Sequence, residues 1–424
     1  GTDSSESVGG VGPVTELNGD VILYVQANRS VRLRAGAFVG YNGRRWVRPT
    51  DSEPYSAGEV PDAGHTVDAV RFPHRIRLEQ PTRAVFAAWQ PSAVEYPAGY
   101  RLRGSSTGGL TVAERPEPPI NYSVLSYRPP TDPERLREAT GTPPEAVRGP
   151  YTQLPEDTPE RLVRKVEGIT ADAPTTYDKA VAVENWLEST KEYSLNSSHP
   201  GSVDHLTDHF VFEMETGYCE YFASAMATML RTQDVPARLV VGYAPGEQLD
   251  ENLYVVRGYH AHAWVEVYVP EVGWVAFDPT PAGHLDAELE KQAAMDPNTI
   301  VFPDRFTIEL NRTPKPGIPI TVTVRNGFQL AADVPVQFNG RTIGRSGPDG
   351  NVSATVPFTR NLSIALGGPV GGQALGGPVV SGDHLRPAIR DPAGDRAVAP
   401  ARSQWNTTLP ANVTFDVQGD PEPG

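Results

Sequence analysis

The 424-residue chain contains one cysteine, Cys219, in surroundings that favour a reactive thiol. It follows Gly217 and Tyr218 and opens an apolar pattern with helical spacing, so the sequence predicts Cys219 in the first turn of a helix. The free backbone N–H groups and the positive end of a helix stabilise a thiolate there. A lone cysteine has no partner for an intrachain disulfide. Cys219 is therefore a candidate nucleophile, with a buried structural cysteine as the alternative.

A strand pattern further along the chain contains a candidate general base. Its alternation sends His262, Trp264 and Glu266 to one face and the alanine and valine residues between them to the other. We expect the apolar face to pack against a core and the polar face to do chemistry. His260 lies two residues before His262 and, on a strand, would point the same way, so either histidine fits the role of base.

A second strand pattern, Trp274 to Asp278, returns antiparallel to the first after a short turn. Asp278 shares a face with His262 only if the connecting loop holds an odd number of residues, for instance three between a paired Val269 and Gly273. In that register the carboxylate orients the imidazole, and the imidazole takes the proton of the thiol. Together with the cysteine, these two residues form the predicted catalytic triad.

These motifs resemble the transglutaminase-like superfamily of papain-like cysteine enzymes: Gly-Tyr-Cys at a helix start, His-Ala-Trp on a strand and Asp-Pro-Thr at a strand end. The resemblance is specific at Cys219, His262 and Asp278. It extends loosely over about residues 20–285, where the chain is similar to the extracellular domain of membrane-anchored bacterial and archaeal members. It implies acyl transfer or hydrolysis at amide bonds of a protein or peptide through a cysteine thioester. It also implies His262 rather than His260 as the base, because the family's base directly precedes Ala-Trp. Transglutamination, proteolysis and deamidation all stay open.

A tetrahedral intermediate needs hydrogen-bond donors for its oxyanion, and the backbone N–H of Cys219 is one expected donor. Trp186 and Trp264 are candidates for the second donor, although core packing explains each of them as well. Glu220 and Glu266 either tune the site electrostatically or are ordinary hydrogen-bonded acids. No spacing of histidine, cysteine or carboxylate residues predicts a metal site, and no glycine-rich loop predicts phosphate binding. No cofactor is expected.

Composition divides the chain into segments. Short β-rich runs dominate the N-terminal part, helical patterns and then strands follow, and the C-terminal part has short strands and then glycine and proline. The predicted fold is an α+β papain/transglutaminase-like core, in which the helix that holds the cysteine packs on an antiparallel sheet. The predicted segments are a flexible leader (1–16), an N-terminal β-rich domain (17–130), the transglutaminase-like catalytic domain (131–290), an immunoglobulin-like β-sandwich (300–367) and a Gly/Pro-rich linker or tail (368–424).

The net charge of −15 argues against nucleic acid as a partner, because phosphates require a basic surface. Arginine far outnumbers lysine among the 37 basic residues. This balance is typical of salt-adapted archaeal proteins, or of an ordinary acidic protein from a GC-rich genome. No apolar run is long enough to predict a membrane span, and no signal peptide is predicted. Because the sequence begins at Gly1, we expect an excised segment whose membrane anchor lies outside it.

Eight Asn-X-Ser/Thr triplets are typical of a glycosylated surface protein. They favour an extracellular or cell-surface location, with N-glycans as possible modifications. They also leave open a second function class, a non-catalytic surface module that uses the same fold for adhesion or assembly. The acceptor asparagines are Asn28, Asn121, Asn196, Asn311, Asn351, Asn361, Asn406 and Asn412.

Overall fold

The computed structural model describes residues 18–49, 53–55, 68–200, 202–281, 300, 302–359, 361–367, 380–381, 408–410 and 412–416. The chain divides into two compact units, Gly1–Phe302 and Pro303–Gly424. The predicted leader, most of the predicted tail and the acceptor Asn406 lie outside the described residues. Within the described part of the chain, no helix is long and apolar enough to span a membrane.

The first unit begins with a group of strands, continues with helices and ends with a second group of strands. The early strands are β1 (Val21–Gln26), β2 (Leu33–Phe38), β3 (Gly40–Tyr41), β4 (Trp46–Val47), β5 (Glu53–Pro54), β6 (Val70–Leu78), β7 (Pro91–Glu95), β8 (Leu102–Gly104), β9 (Leu110–Val112) and β10 (Ile120–Arg128). The helices are α1 (Pro133–Glu138), α2 (Glu145–Tyr151), α3 (Glu160–Ile169), α4 (Thr176–Thr190), α5 (Leu206–Glu213) and α6 (Cys219–Arg231). The later strands are β11 (Glu192–Tyr193), β12 (Thr216–Gly217), β13 (Ala237–Tyr243), β14 (Glu247–Asp250), β15 (Leu253–Arg257), β16 (Ala261–Val269) and β17 (Gly273–Phe277).

Two antiparallel sheets combine early and late strands of the first unit. The six-stranded sheet has the order β14-β15-β1-β6-β10-β7, and the four-stranded sheet has the order β17-β16-β13-β2. β1 pairs with β15, and β2 pairs with β13. The two segments predicted as separate domains, 17–130 and 131–290, thus share sheets within one compact unit. The physical reason is strand pairing: β1 and β2 satisfy edges of β15 and β13 that would otherwise expose unpaired backbone groups.

Helix α6 is the centre of the α+β core. It packs against β13 and β16 on one side and against α4 and α5 on the other. Its apolar side chains, among them Phe222 and Met226, are fully buried together with Ala263 and Val265 of β16. The apolar face predicted for β16 is therefore the face that packs on the helix. The predicted core, a cysteine-bearing helix on an antiparallel sheet, is confirmed.

The β16–β17 hairpin has the register that the candidate site requires. Val269 pairs with Gly273, and Val265 pairs with Phe277, so three residues form the turn. Glu271 and Gly273 both have positive φ angles, of 63° and 93°, which is how the chain reverses in so few residues. The sequence prediction of an odd loop is confirmed.

A buried ion cluster ties three neighbouring strands of the four-stranded sheet together. Glu266 of β16 is fully buried and accepts hydrogen bonds from Arg34 Nε of β2 at 3.2 Å and from Arg238 Nε of β13 at 2.7 Å. The Arg238 guanidinium also lies 3.9 Å from the centroid of the Trp274 ring. Buried charges are tolerated only when they are paired in this way. Glu266 is therefore a structural acid.

The second unit consists of two sheets with a shared apolar core. Its strands are β18 (Phe306–Leu310), β19 (Pro319–Asn326), β20 (Gln329–Leu330), β21 (Pro335–Phe338), β22 (Arg341–Arg345), β23 (Asn351–Thr355), β24 (Asn361–Leu366), β25 (Val380–Ser381), β26 (Thr408–Pro410) and β27 (Asn412–Asp416). One sheet has the order β20-β19-β18-β26 with β23 also paired to β19, and the other has the order β22-β21-β24-β27-β25. Buried residues of both sheets, such as Val322 and Ile364, form one cluster. β25, β26 and β27 belong to the segment predicted as a tail. The immunoglobulin-like fold stays a prediction for this unit.

Removing the Glu266 carboxylate should destabilise the first unit strongly. Glu266→Ala leaves two buried arginine charges without their counter-ion, so we expect a loss of about 3–5 kcal/mol in the free energy of unfolding. Urea unfolding followed by circular dichroism measures it. Glu114→Ala is the matched control, because Glu114 forms an exposed ion pair with Arg101 and should cost no more than about 1 kcal/mol. Equal losses of unfolding free energy in the two variants would show that the buried cluster stabilises the fold no more than an exposed ion pair does.

Candidate active site

Cys219 is the first residue of α6 and is completely buried. The backbone N–H groups of Ala263 and Glu220 hydrogen-bond to its sulfur and favour the thiolate. Burial nevertheless outweighs them and, together with the negative charge of Glu220, raises the pKa of the Cys219 thiol well above its ordinary value. The sequence predicted a helix start that stabilises a thiolate. The helix start is present, but desolvation dominates, so the resting sulfur is a neutral thiol.

His262 and Asp278 lie in direct contact. His262 Nε2 and Asp278 Oδ2 are 2.9 Å apart, across the hairpin whose register was described above. His262 is the second residue of β16, and the residue after it, Ala263, is the one whose N–H reaches the Cys219 sulfur. The charge of Asp278 is itself close enough to raise the pKa of Cys219. The three residues predicted from the sequence are thus brought together at one end of α6 and β16.

Three further residues hold Asp278. Arg32 Nη2 donates to Asp278 Oδ2 at 2.8 Å, the Thr280 N–H donates to Asp278 Oδ1 at 3.3 Å, and the backbone N–H of Asp278 donates to Glu184 Oε1 at 2.8 Å. Burial alone would raise the pKa of Asp278, but the charges and hydrogen bonds of His262 and Arg32 hold it well below its ordinary value. Asp278 is therefore a carboxylate in the folded protein.

Glu184 comes from α4 and is the neighbour of Asp278 that titrates near neutrality. Burial raises the pKa of Glu184 to about 7, although the hydrogen bond from the Asp278 N–H favours its ionised form. The charges of Glu188 and Asp278 raise it further. The sequence does not predict Arg32 or Glu184 as site residues, because neither position stands out from an ordinary strand or helix pattern. Only tertiary pairing brings them to Asp278.

His260, the alternative base, has a different role from His262. It lies in a short 3-10 turn, Gly258–His260, before β16 begins, so the predicted strand alternation does not apply to it. Its Nδ1 accepts a hydrogen bond from the backbone N–H of Arg257 at 2.9 Å. Burial lowers the pKa of His260 to about 4. The chain turns here because Gly258 has no Cβ, which would overlap the side chain of Asn18.

The other residues considered from the sequence are spread around the site. Glu220 lies beside Cys219, and burial raises its pKa as well. Trp264 is buried with Ala37 and Val240 and stacks near His262, with ring centroids 6.4 Å apart. Trp186 is half-buried under Lys165, 4.9 Å from the ring centroid. Both tryptophans pack as core residues. Within the described ranges, no group of three or more His, Cys, Asp or Glu is placed to hold a metal ion.

Three tyrosines, Tyr193, Tyr218 and Tyr221, lie close to Cys219. Tyr193 and Tyr218 are both half-buried, and burial followed by neighbouring charges, that of Cys219 among them, raises the pKa of each phenol. Tyr221, the third residue of α6, forms a hydrogen bond of 2.6 Å between its hydroxyl group and His199 Nδ1. These rings belong to the surroundings of the buried thiol.

Comparison with known proteins agrees with the geometry. Residues 163–279 match the model of the Transglutaminase-like superfamily. A stretch of 137 residues is 42% identical to the uncharacterized protein YebA of Bacillus subtilis and covers 31% of this chain and 19% of that protein. A stretch of 158 residues is 34% identical to a protein-glutamine gamma-glutamyltransferase of Pseudomonas aeruginosa and covers 37% of this chain and 23% of that enzyme. The chain thus spans about a fifth of the length of these relatives.

The fold resembles a solved structure. The periplasmic domain of TgpA from Pseudomonas aeruginosa superposes with a TM-score of 0.50 at 24% identity, over 66% of this chain and 93% of that domain. This likeness concerns the fold, and it extends well beyond the residues that match the family model. The helix, the paired strands and the family match agree on one conclusion: the chain contains a domain of the Transglutaminase-like superfamily.

Proposed function

We propose that the chain is a cysteine acyltransferase that acts on the side-chain amides of protein glutamines. Cys219 is the nucleophile, His262 the general base and acid, and Asp278 the carboxylate that orients the imidazole. The observation that supports this most is the 2.9 Å contact between His262 Nε2 and Asp278 Oδ2, beside a strand whose next N–H contacts the Cys219 sulfur. Covalent acyl transfer requires a nucleophile near a base that is itself bonded to an orienting carboxylate.

The chemistry proceeds in two steps. The Cys219 sulfur attacks the carboxamide carbon while His262 Nδ1 takes the thiol proton, and the same nitrogen returns the proton to the leaving ammonia as the C–N bond breaks. A thioester results. In the second step His262 takes a proton from a primary amine, or from water, as that nucleophile attacks the thioester and the C–S bond breaks. The proton returns to the Cys219 sulfur.

The ionisation states of Cys219 and Asp278 suit these two chemical steps. The resting thiol is neutral because it is buried, so deprotonation and attack occur together rather than from a preformed thiolate. The Asp278 carboxylate stays ionised and stabilises the imidazolium that forms in the transition state. As the first residue of α6, Cys219 also has a backbone N–H with no acceptor inside the helix, which is a donor for the oxyanion.

Glutamine is the proposed acyl donor because a relative 34% identical over 158 residues is named a protein-glutamine gamma-glutamyltransferase. The proposed location is outside the cytoplasmic membrane, because the solved domain of similar fold is periplasmic. Glycosylation belongs to the same proposal: the acceptors Asn28, Asn196 and Asn311 have exposed side chains. A membrane anchor outside residues 1–424 is also part of it.

A second candidate function is a non-catalytic surface module. One observation favours it: Cys219 has no exposed surface. Acyl transfer then requires the tyrosines around the sulfur to move when substrate binds. The rate of iodoacetamide labelling separates the two functions. Labelling of Cys219 faster than global unfolding supports the enzyme, whereas labelling limited by unfolding supports the module.

Cys219→Ala should abolish product formation while the protein stays folded. The wild-type chain is incubated with a glutamine-bearing peptide, with and without a primary amine, and the products are resolved by mass. We expect amine incorporation, with deamidation when the amine is omitted, and neither product from the variant because the thioester cannot form. Peptide cleavage instead would identify a protease. A wild-type chain without any of these products, or a fully active alanine variant, would end the proposal.

Asp278→Asn should lower kcat by roughly three to four orders of magnitude, because an amide neither stabilises the imidazolium nor fixes the same tautomer. Asp250→Asn is the matched control, since Asp250 is exposed on β14 and should leave kcat unchanged. Initial rates of amine incorporation at saturating peptide measure both variants. A loss below about tenfold for the Asp278 variant would remove the carboxylate from the mechanism.

Glu184 should make stability depend on pH. Its pKa is raised to about 7 in the folded protein from about 4.3 in an unfolded chain. The folded state therefore holds the extra proton between these values, and stability is lost as the pH rises through this window. Glu184→Gln keeps an acceptor for the Asp278 N–H but does not titrate. The free energy of unfolding of the variant should thus rise relative to the wild type from pH 4.5 to 7.5.

Urea unfolding at several pH values checks this dependence. Glu138→Gln, on the exposed surface of α1, is the control and should show no trend relative to the wild type. A constant difference between the Glu184 variant and the wild type across the window would contradict the assignment.

A further inference from the structure

Arg32 contacts the carboxylate that orients the base. Its NH2 group lies 2.8 Å from Asp278 Oδ2, the same oxygen that lies 2.9 Å from His262 Nε2. We propose that Arg32 is a positioning residue, which holds Asp278 in the ionised form and in the rotamer that faces His262. This inference rests on the proposed function, because it assigns to Arg32 a role in the same reaction.

The position of Arg32 is determined by strand pairing. It directly precedes β2, whose first residue, Leu33, pairs with Tyr243 of β13. The pairing has a bulge between Val241 and Gly242. A Cβ at position 242 would overlap the carbonyl of Leu33, so only glycine allows the two strands to approach this closely. The pairing of β2 with β13 thus places Arg32 beside Asp278, although the two residues are 246 positions apart in the sequence.

The charges around Asp278 show why a cation is needed there. Glu184 Oε1 lies against the Asp278 N–H, and Asp278 raises the pKa of both Glu184 and Glu188. Three carboxyl groups therefore share a partly dehydrated region with one imidazole. Arg32 supplies a permanent positive charge, which His262 does not, because the imidazole must be neutral before it acts as a base.

Side-chain geometry adds a second effect. Apart from His262 and Arg32, the Asp278 carboxylate accepts a hydrogen bond from the Thr280 N–H, at 3.3 Å from Oδ1. Without Arg32, rotation about the χ2 bond is less restricted, so Oδ2 would face His262 for less of the time. A charge-assisted bond from Arg32 restricts that rotation, and Arg32 is itself about two-thirds shielded, with 37% of its side chain exposed. Arg32 touches neither the sulfur nor the acyl carbon of the proposed intermediate. Its loss should therefore act on kcat rather than on KM.

The test uses the full chain with Arg32→Gln, Arg32→Lys and Arg101→Gln. Arg101 is the control, because it forms an exposed ion pair with Glu114 elsewhere in the first unit. Steady-state amine incorporation gives kcat and KM across the pH range, and thermal melting checks that each variant is folded. For Arg32→Gln we expect kcat to fall by roughly tenfold to a hundredfold at unchanged KM. The acid limb of the profile should move to higher pH, because Asp278 loses a neighbouring positive charge.

Arg32→Lys should recover part of kcat and restore most of the acid limb, since lysine returns the charge without the guanidinium geometry. A readout independent of turnover is the proton NMR signal of the His262 N–H bonded to Asp278, which should exchange faster with water in Arg32→Gln. Unchanged kcat, pH profile and proton exchange in Arg32→Gln would overturn the inference. If the wild-type chain shows no activity, the proposed function fails and the NMR comparison alone decides the role of Arg32.

Discussion

The Glu266 carboxylate is the interaction on which the rest of the first unit depends. It binds one arginine from each of two other strands, Arg34 of β2 and Arg238 of β13. All three groups are buried, so a shift of any strand by one residue would leave a charge without its partner. The cluster therefore selects one register for β16, β13 and β2. The Glu266 carboxylate thereby determines where the candidate site residues on these strands lie.

The candidate site follows from that register. His262 lies four residues before Glu266 on β16, and Arg32 lies two residues before Arg34 beside β2. Fixing the register of each strand therefore fixes the positions of His262 and Arg32, which both reach Asp278 Oδ2 at hydrogen-bond distance. The buried ion cluster and the candidate site lie a few residues apart along the same strands. Stability and positioning are therefore coupled in this fold.

Cys219 and Asp278 have opposite ionisation behaviour in the candidate site: the thiol is neutral and the carboxyl group is ionised. Burial keeps the Cys219 thiol neutral, while the hydrogen bonds of His262 and Arg32 keep Asp278 ionised. A neutral thiol is less reactive than a thiolate. The negative charge of the candidate site therefore lies on Asp278 rather than on the sulfur. This differs from the thiolate that a helix start alone would predict.

Local patterns predicted the parts of the site that depend on local structure. The first turn of α6 at Cys219, the alternation of β16 and the three-residue loop of the hairpin all followed from spacing, because helix and strand periodicities are properties of neighbouring residues. Arg32 and Glu184 could not be found in this way, since their contacts with Asp278 depend on pairing across the fold. His260 was assigned to a strand because alternation does not register a 3-10 turn. Desolvation of the thiol likewise has no sequence signature.

The segment that matches the family model lacks two strands on which its own sheets and the candidate site depend. Residues 163–279 include α6, β13, β16 and Asp278, but not β1 or β2. Without β2, one edge of β13 is unpaired, Glu266 loses Arg34, and Asp278 loses Arg32. Without β1, an edge of β15 is unpaired as well. The N-terminal strands thus complete both the sheets and the ion pairs of the candidate site.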